Sequence, residues 1–488
     1  MSVPPRPRSS HRTTFAVLAA GSGVFSLLQS LIAPALPTVQ HAMHTSQTTV
    51  TWVMTAYLLS ASVFTPILGR VGDLLGKKRT LVAALLTVLA GCLLAALAPN
   101  IGVLIVARVV QGMGGALFPL SFGIIRDEFD SSRVGSAISN LSAVIAAGSG
   151  LGIVLAGPTV AALDYHWLFW LPVIVVAVTV VLAVRHIPES PLRAEGSVHW
   201  LGAGLLSAWL VALLLPLSQA GSWGWGWGSA RVLGLLAAAV VLFALWLLAE
   251  ARAAHPLIDL RIMRLPAVWT TNTVALLFGA GMFGLWSFLP AFTQTPAVAG
   301  YGFGAGVTGA GLLMLPMLVA MFVSGVLSGR LAPVFSAKAQ LVTGSALAAA
   351  AGGLLTVLHA QAWQVALAAG IFGLGIGLAF ASMATLIVHS VPATQTGAAT
   401  GMNANIRTIG GSLGAAVTGL LVTARLQPTG LPHESGYTHG FALLTALCLA
   451  AALMALLIPS ARTVLRRRDA GSPGGSRTPR ETAGVVAE

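Results

Sequence analysis

The sequence predicts an all-α integral membrane protein: fourteen membrane-crossing helices, arranged as two six-helix halves with two helices inserted between them. Three observations predict it. Of 488 residues, 56% are hydrophobic and only 8% charged, whereas soluble domains carry about 25% charged residues. The apolar residues fall into fourteen runs, each about the 20 residues needed to cross a bilayer. The two outer sets of six runs also resemble one another.

The runs lie near 13–37, 49–69, 80–98, 101–124, 135–163 and 166–185, then near 199–218 and 230–250, then near 267–290, 305–328, 338–358, 363–388, 398–424 and 438–459. They divide the chain into a first half at 13–190, an insert at 199–250 and a second half at 267–460. Residues 1–12 form a basic cytoplasmic tail, with Arg6, Arg8 and Arg12 ahead of the first run. That run is too long for a signal-peptide core and lacks a small-x-small cleavage site, so it reads as an uncleaved span. Residues 461–488, rich in Gly, Ser, Pro and Arg, read as a disordered cytoplasmic tail.

Charge fixes the expected orientation. With both termini inside, 22 of the 26 Lys and Arg fall on the inner side. Arg231 and Arg425 fall outside, and Arg108 and Arg407 lie within spans. This is a strong positive-inside pattern. It accounts for the net charge of +13 as a topology device that also meets anionic lipid, and it argues against a nucleic-acid partner. A bacterial inner membrane is the expected location. Cys92 and Cys448 each sit in an apolar run, which reads as buried thiols rather than a disulfide framework or a metal site. Trp223, Trp225 and Trp227, in the loop after the seventh run, read as an interfacial aromatic anchor.

The repeat carries the first functional argument. Gly69-Arg70 and Lys78 have counterparts in Gly329-Arg330 and Lys338. Gly112-Met-Gly114 matches Gly373-Leu-Gly375, and Gly148 and Gly152 match Gly410 and Gly414 at a spacing of 262. Repeated halves build transporters, with substrate at the midplane between them.

Four motifs stand out. The loop after the second run reads Gly69-Arg-Val-Gly-Asp73-Leu-Leu-Gly76-Lys77-Lys78-Arg79. Its glycines allow a tight turn, and its aspartate suits a helix N-terminus or a cation. The fourth run holds Arg108, Gln111 and Gly112, with Arg108, Gly112 and Gly115 on one stripe. A charge in a span needs a cavity or a partner. The repeat counterpart of Arg108 is Ala369, which favours a role in coupling or substrate binding over a role in the fold. The fifth run holds Gly148, Gly152, Gly157 and Pro158, a small-residue face for close helix packing. The thirteenth aligns Asn403, Arg407, Gly410 and Gly414 on one stripe.

Together these resemble the major facilitator superfamily, and within it the fourteen-span drug:proton antiporter family, over residues 13 to about 460. The loop resembles the superfamily's signature loop, except that Leu74 stands where many members have arginine. The resemblance implies that Asp73 latches the cytoplasmic faces together, facing the start of the thirteenth span. The fifth run resembles the antiporter motif in degenerate form, with Ile153 where the proline belongs and Ala156 in place of a glycine. The first-span aspartate common in that family is replaced by Leu28.

The expected function is secondary export of small lipophilic molecules such as drugs or antibiotics. The chain is expected to act as a monomer by alternating access, with the proton gradient as driving force and no cofactor. No Walker A sequence is present, so ATP is not the expected driver. No catalytic constellation points to an enzyme. Candidate cavity residues are Gln29, Tyr57, Arg108, Asn140, Asn272, Trp286, Asn403 and Arg407. No carboxylate or histidine falls mid-span, which leaves the proton site unassigned. Central arginines without carboxylate partners favour an anionic or acceptor-rich substrate. An importer or facilitator on the same fold, and a non-transporting membrane sensor, are the alternatives.

Overall fold

The computed structural model describes residues 11–190, 192–219 and 226–459. The expected tails therefore lie outside the described residues, except that His11 and Arg12 open the first helix. Trp223 and Trp225 also lie outside them. Within the described residues, fourteen helices are long and apolar enough to cross a membrane. They are α1 (His11–Ala42), α2 (Trp52–Leu75), α3 (Lys77–Ala96), α4 (Ile101–Glu128), α5 (Ser131–Ala162), α6 (Trp167–His186) and α7 (Trp200–Ser218). Then follow α8 (Ala230–Arg252), α9 (Pro266–Gln294), α10 (Thr308–Leu331), α11 (Ala337–Val357), α12 (Ala362–Ser390), α13 (Ala393–Thr423) and α14 (Glu434–Leu456).

Local chemistry sets several boundaries. Asn100, Ser229 and Ser336 each accept a hydrogen bond from a first-turn amide, opening α4, α8 and α11. Gln361 and Gln364 form a reciprocal capping box at α12. Within its expected span α1 passes through a 3₁₀ turn at Ala33–Ala35, and it then runs on to Ala42, past the expected end near 37. Pro34 and Pro37 lack the amides that an unbroken α-helical ladder would need there. Between α2 and α3 the chain turns at Gly76, whose φ of 120° only glycine adopts without strain. Ile174 and Val178 on α6, and Val240 and Val241 on α8, point out of the protein, as lipid-facing residues do when the solvent is hydrocarbon.

The packing has an internal symmetry. In the first six helices α1 packs on α5 and α6, α3 on α4 and α6, and α2 on α4. Each contact has a counterpart eight helices later: α9 on α13 and α14, α11 on α12 and α14, and α10 on α12. The small residues paired by sequence are the ones that permit this. Added methyl groups on Gly148 and Gly152 would each lie 2.6 Å from a carbonyl oxygen of α1, at Gly23 and Leu27. Gly410 and Gly414 press in the same way on Leu276 and Ala280 of α9. Between the two sets, α2 meets α13 and α5 meets α10, again a symmetric pair. The helices α7 and α8 pack mainly on each other, and α7 also leans on α2 and α13. The buried Glu250 at the end of α8 accepts from the Ile258 amide and lies 3.4 Å from Nδ1 of His199. This fastens the connecting segments on either side of the pair.

Candidate substrate cavity and inter-half clamp

The side of the protein that carries the Lys77-Lys78-Arg79 loop is called the basic side below. There Asp73, in the last turn of α2, is fully buried. Its carboxylate oxygens accept from the backbone amides of Gly397 at 3.3 Å and Ala398 at 3.1 Å. These amides belong to the first turn of the helix starting at Thr396, where N–H groups have no partner within the helix and the dipole favours an anion. The approach requires glycine on both sides, because a methyl group on Gly69 would lie 2.7 Å from the Gly397 carbonyl oxygen.

A charged cluster backs this contact. Lys77, 1% exposed, places Nζ 2.5 Å from Asp127 Oδ2 and 4.0 Å from Asp73 Oδ1. Ser190 donates a further hydrogen bond to Asp127. Beside the cluster, Arg126 Nη1 donates across to Thr396 Oγ1 at 2.8 Å, a second bond from α4 into α13. Lys78 and Arg79 act within one half. Nζ of Lys78 donates to the Val184 carbonyl at 2.9 Å, and Glu189 accepts from the Lys78 amide at 3.2 Å and pairs with Arg79 at 3.6 Å. Asp127, Glu189, Arg126 and Thr396 were not singled out from sequence. They sit at or just beyond helix ends far from the loop in the chain, where no periodicity links them to it.

Above the clamp lies a central cavity of about 70 Å³ between the halves. Phe25, Gln29 and Ser62 line it from the first half, and Trp286, Phe380, Asn405 and Arg407 from the second. A smaller cavity of about 30 Å³ adjoins Arg407 and Asn403. Pockets for drug-sized ligands measure about 300–1,000 Å³, so the halves are drawn together around a contracted site. The Arg407 guanidinium lies over the Phe380 ring, 4.2 Å from its centroid. No hydrogen-bonding or ion-pair partner approaches it among the described residues. Asn405 is 2% exposed, and neither its amide nitrogen nor its amide oxygen has a partner. Trp286 Nε1 and Ser62 Oγ are likewise buried and unpartnered.

A family model described as Major Facilitator Superfamily matches residues 18–415. The chain belongs to this superfamily. Its relatives include the tetracenomycin C resistance and export protein of Streptomyces glaucescens, 29% identical over 85% of this chain and 76% of that protein. The methylenomycin A resistance protein of Streptomyces coelicolor is 29% identical over 87% of each chain. The multidrug transporter MdtP of Bacillus subtilis is 27% identical over 77% of this chain and 69% of that protein. Among solved structures, the human organic anion transporter MFSD10 superposes with a TM-score of 0.67, over 92% of this chain and 100% of that one. At 15% identity it shows the fold alone.

A major facilitator protein is a multi-pass transporter and not an enzyme, so the residues expected to line its cavity can be placed. Gln29, Trp286 and Arg407 line the main cavity, and Asn403 lines the smaller one. Asn272 stands behind Asn403 and accepts from its amide nitrogen at 2.9 Å. Tyr57, Arg108, Gln111 and Asn140 line neither cavity.

For Arg108 this corrects the sequence reading. Its side chain is fully buried within the first half, not in the cavity. It donates to the Val53 carbonyl at 3.0 Å, to Gln111 Oε1 at 2.7 Å and to the Leu28 carbonyl at 3.3 Å, and it stacks 4.0 Å above the Tyr57 ring. Tyr57 is spent on the Phe25 carbonyl at 3.0 Å. The arginine thus cross-links α1, α2 and α4. In the other half Ala369 is also fully buried, so the equivalent position there is packed with a methyl group. Cavity residues missed from sequence include Phe25, Ser62, Phe380 and Asn405, of which Asn405 is the most polar. It lies off the 403–407–410 stripe, and α13 is wedged between α2, α7 and α9, so more than one of its faces meets protein.

Proposed function

We propose that this protein is a secondary exporter of small lipophilic molecules, working by alternating access in a bacterial plasma membrane with both termini cytoplasmic. The basic side is then the cytoplasmic side, and the arrangement described is closed toward the cytoplasm. The observation that carries the reading is the Asp73 clamp, which joins α2 of one half to α13 of the other beneath a contracted cavity lined by both. A contact made of two hydrogen bonds and a glycine pair can form and break within a transport cycle. The relatives named for drug resistance and export support the direction and the substrate class. Family likeness also favours a monomer driven by the proton gradient, without ATP.

One observation favours a second reading, a facilitator without proton coupling. No acidic side chain or histidine lines either cavity among the described residues, and intramembrane carboxylates or histidines are the usual proton carriers. Drug uptake into everted vesicles under an imposed pH gradient tests both. Uptake that follows the gradient and collapses with an uncoupler supports proton-coupled export. Uptake that ignores the gradient leaves the facilitator, and no uptake of any compound rejects transport by export.

A further inference from the structure

We infer that the central cavity, once the halves part from the contracted arrangement described, takes a flat aromatic acid, its carboxylate held by Arg407 and its ring body against the aromatic wall. The inference rests on the transporter reading and deepens it by naming the substrate class. A charge held inside a membrane protein without a counterion is costly. Arg407 has none among the described residues, and the cavity contains one cation and no acidic side chain. The cavity's polar groups left without partners are two donors, the Asn405 amide nitrogen and Trp286 Nε1, one acceptor, the Asn405 oxygen, and the Ser62 hydroxyl, which can donate or accept. Buried polar groups without partners are rare in finished structures. Several of them gathered around one cation describe a site whose complement is an acceptor-rich anion.

The shape of the site narrows the class further. Phe380 lies against the guanidinium on one side, and the N–H groups, which have no partner among the described residues, can pair with a carboxylate through two parallel hydrogen bonds. Beside it Phe283 and Trp286 meet edge to face, with centroids 5.8 Å apart, and Phe25 and Phe118 meet likewise at 5.3 Å across the cavity. Such rings stack well on a planar apolar body. A cationic drug would place like charge beside Arg407, and a neutral one would leave the arginine unpaired.

The test is equilibrium binding to the purified full-length protein in chloride-free buffer, with three probes of one ring size: 2-naphthoate, 2-naphthylmethanol and 2-naphthylmethylammonium. The expected result is that naphthoate binds at least tenfold more tightly than either of the others. Arg407→Gln should erase that preference. Arg407→Glu should invert it in favour of the ammonium probe, a gain that a misfolded variant could not produce. Equal affinities, a preference for the ammonium probe in the unaltered protein, no binding of naphthoate, or an unchanged preference in Arg407→Gln would each overturn the inference. Its failure is separable from failure of the exporter reading. Vesicles that accumulate a cationic dye while naphthoate does not bind keep the exporter and reject the acid. Naphthoate bound through Arg407 without any vesicle transport does the reverse.

Discussion

Gly69 and Gly397 face each other across the two halves with backbones in contact, so that a methyl group on either would come within 2.7 Å of the other's carbonyl oxygen. The pair therefore acts as a steric gauge of clamp closure. Alanine at position 69 suits its own helix better than glycine does, by about 1 kcal/mol. Overpacking of about 1–3 kcal/mol falls only on the arrangement in which α2 and α13 touch. Gly69→Ala should keep the fold and shift the protein away from the clamped state. Maleimide labelling of an Ala398→Cys reporter measures this, because Ala398 is buried in the clamp and the native Cys92 and Cys448 are fully buried. Labelling should accelerate about tenfold, equivalent to about 1.4 kcal/mol. An unchanged rate would mean that the two backbones do not meet in the membrane.

Asp73 supplies the electrostatic part of the same contact. Hydrogen bonds to a charged group contribute about 1.5–3 kcal/mol each, and Asp73 makes two of them to the first turn of α13. Asp73→Asn keeps the size and one acceptor but removes the charge. The reporter at position 398 should again label faster, by tenfold or more, and transport in vesicles should fall with it. Slow labelling combined with lost transport would instead assign Asp73 to coupling rather than to closure.

The fold and the line of closure were legible in the sequence for a physical reason. Hydrophobic run length and the sorting of Lys and Arg act over whole helices, so they survive the weak detail of any one position. The Asp73 contact was legible through the loop's resemblance to the superfamily's signature loop, since an acid among glycines by itself says only that it suits a helix N-terminus or a cation. The cavity was less so. Polarity within a span marks Arg108 and Arg407 alike, yet one is consumed by carbonyls of α1 and α2 and the other faces open space. Only the neighbouring helices decide between those outcomes. Asn405 was passed over for the same reason, since a helix between two halves has no single inward stripe.

Lys77 tests the charged cluster behind the clamp. It is buried between Asp127 and Asp73. Removing one member of a buried pair costs about 3–5 kcal/mol, because the other charge is left unpaired. Lys77→Met should therefore lower the melting temperature more than Arg79→Met, whose side chain is 73% exposed. Lys77→Met/Asp127→Asn should recover part of the loss, since the nearer of the two stranded charges is gone. A double variant no more stable than the single one would show that Asp127 does not depend on Lys77.

Arg108 and Arg407 should separate cleanly by experiment. Arg108 is fully buried among carbonyl oxygens, Gln111 and Tyr57. Arg108→Ala removes those bonds and leaves a void where α1, α2 and α4 meet. Large-to-small changes in a packed core cost about 3–5 kcal/mol. Arg108→Lys cannot restore the site, because a single ammonium cannot span acceptors on three helices as the guanidinium fork does. Both variants should lower the melting temperature. Neither should alter the cavity's preference among ligands, so the ratio of 2-naphthoate to 2-naphthylmethanol affinity should stay within about twofold, tenfold being 1.4 kcal/mol. Arg407→Gln should show the opposite pattern, with little change in melting and loss of the preference. If Arg108→Lys melts like the unaltered protein but loses ligand preference, the arginine of α4 reaches the substrate in another conformation of the cycle, and its position between α1 and α2 is a resting place.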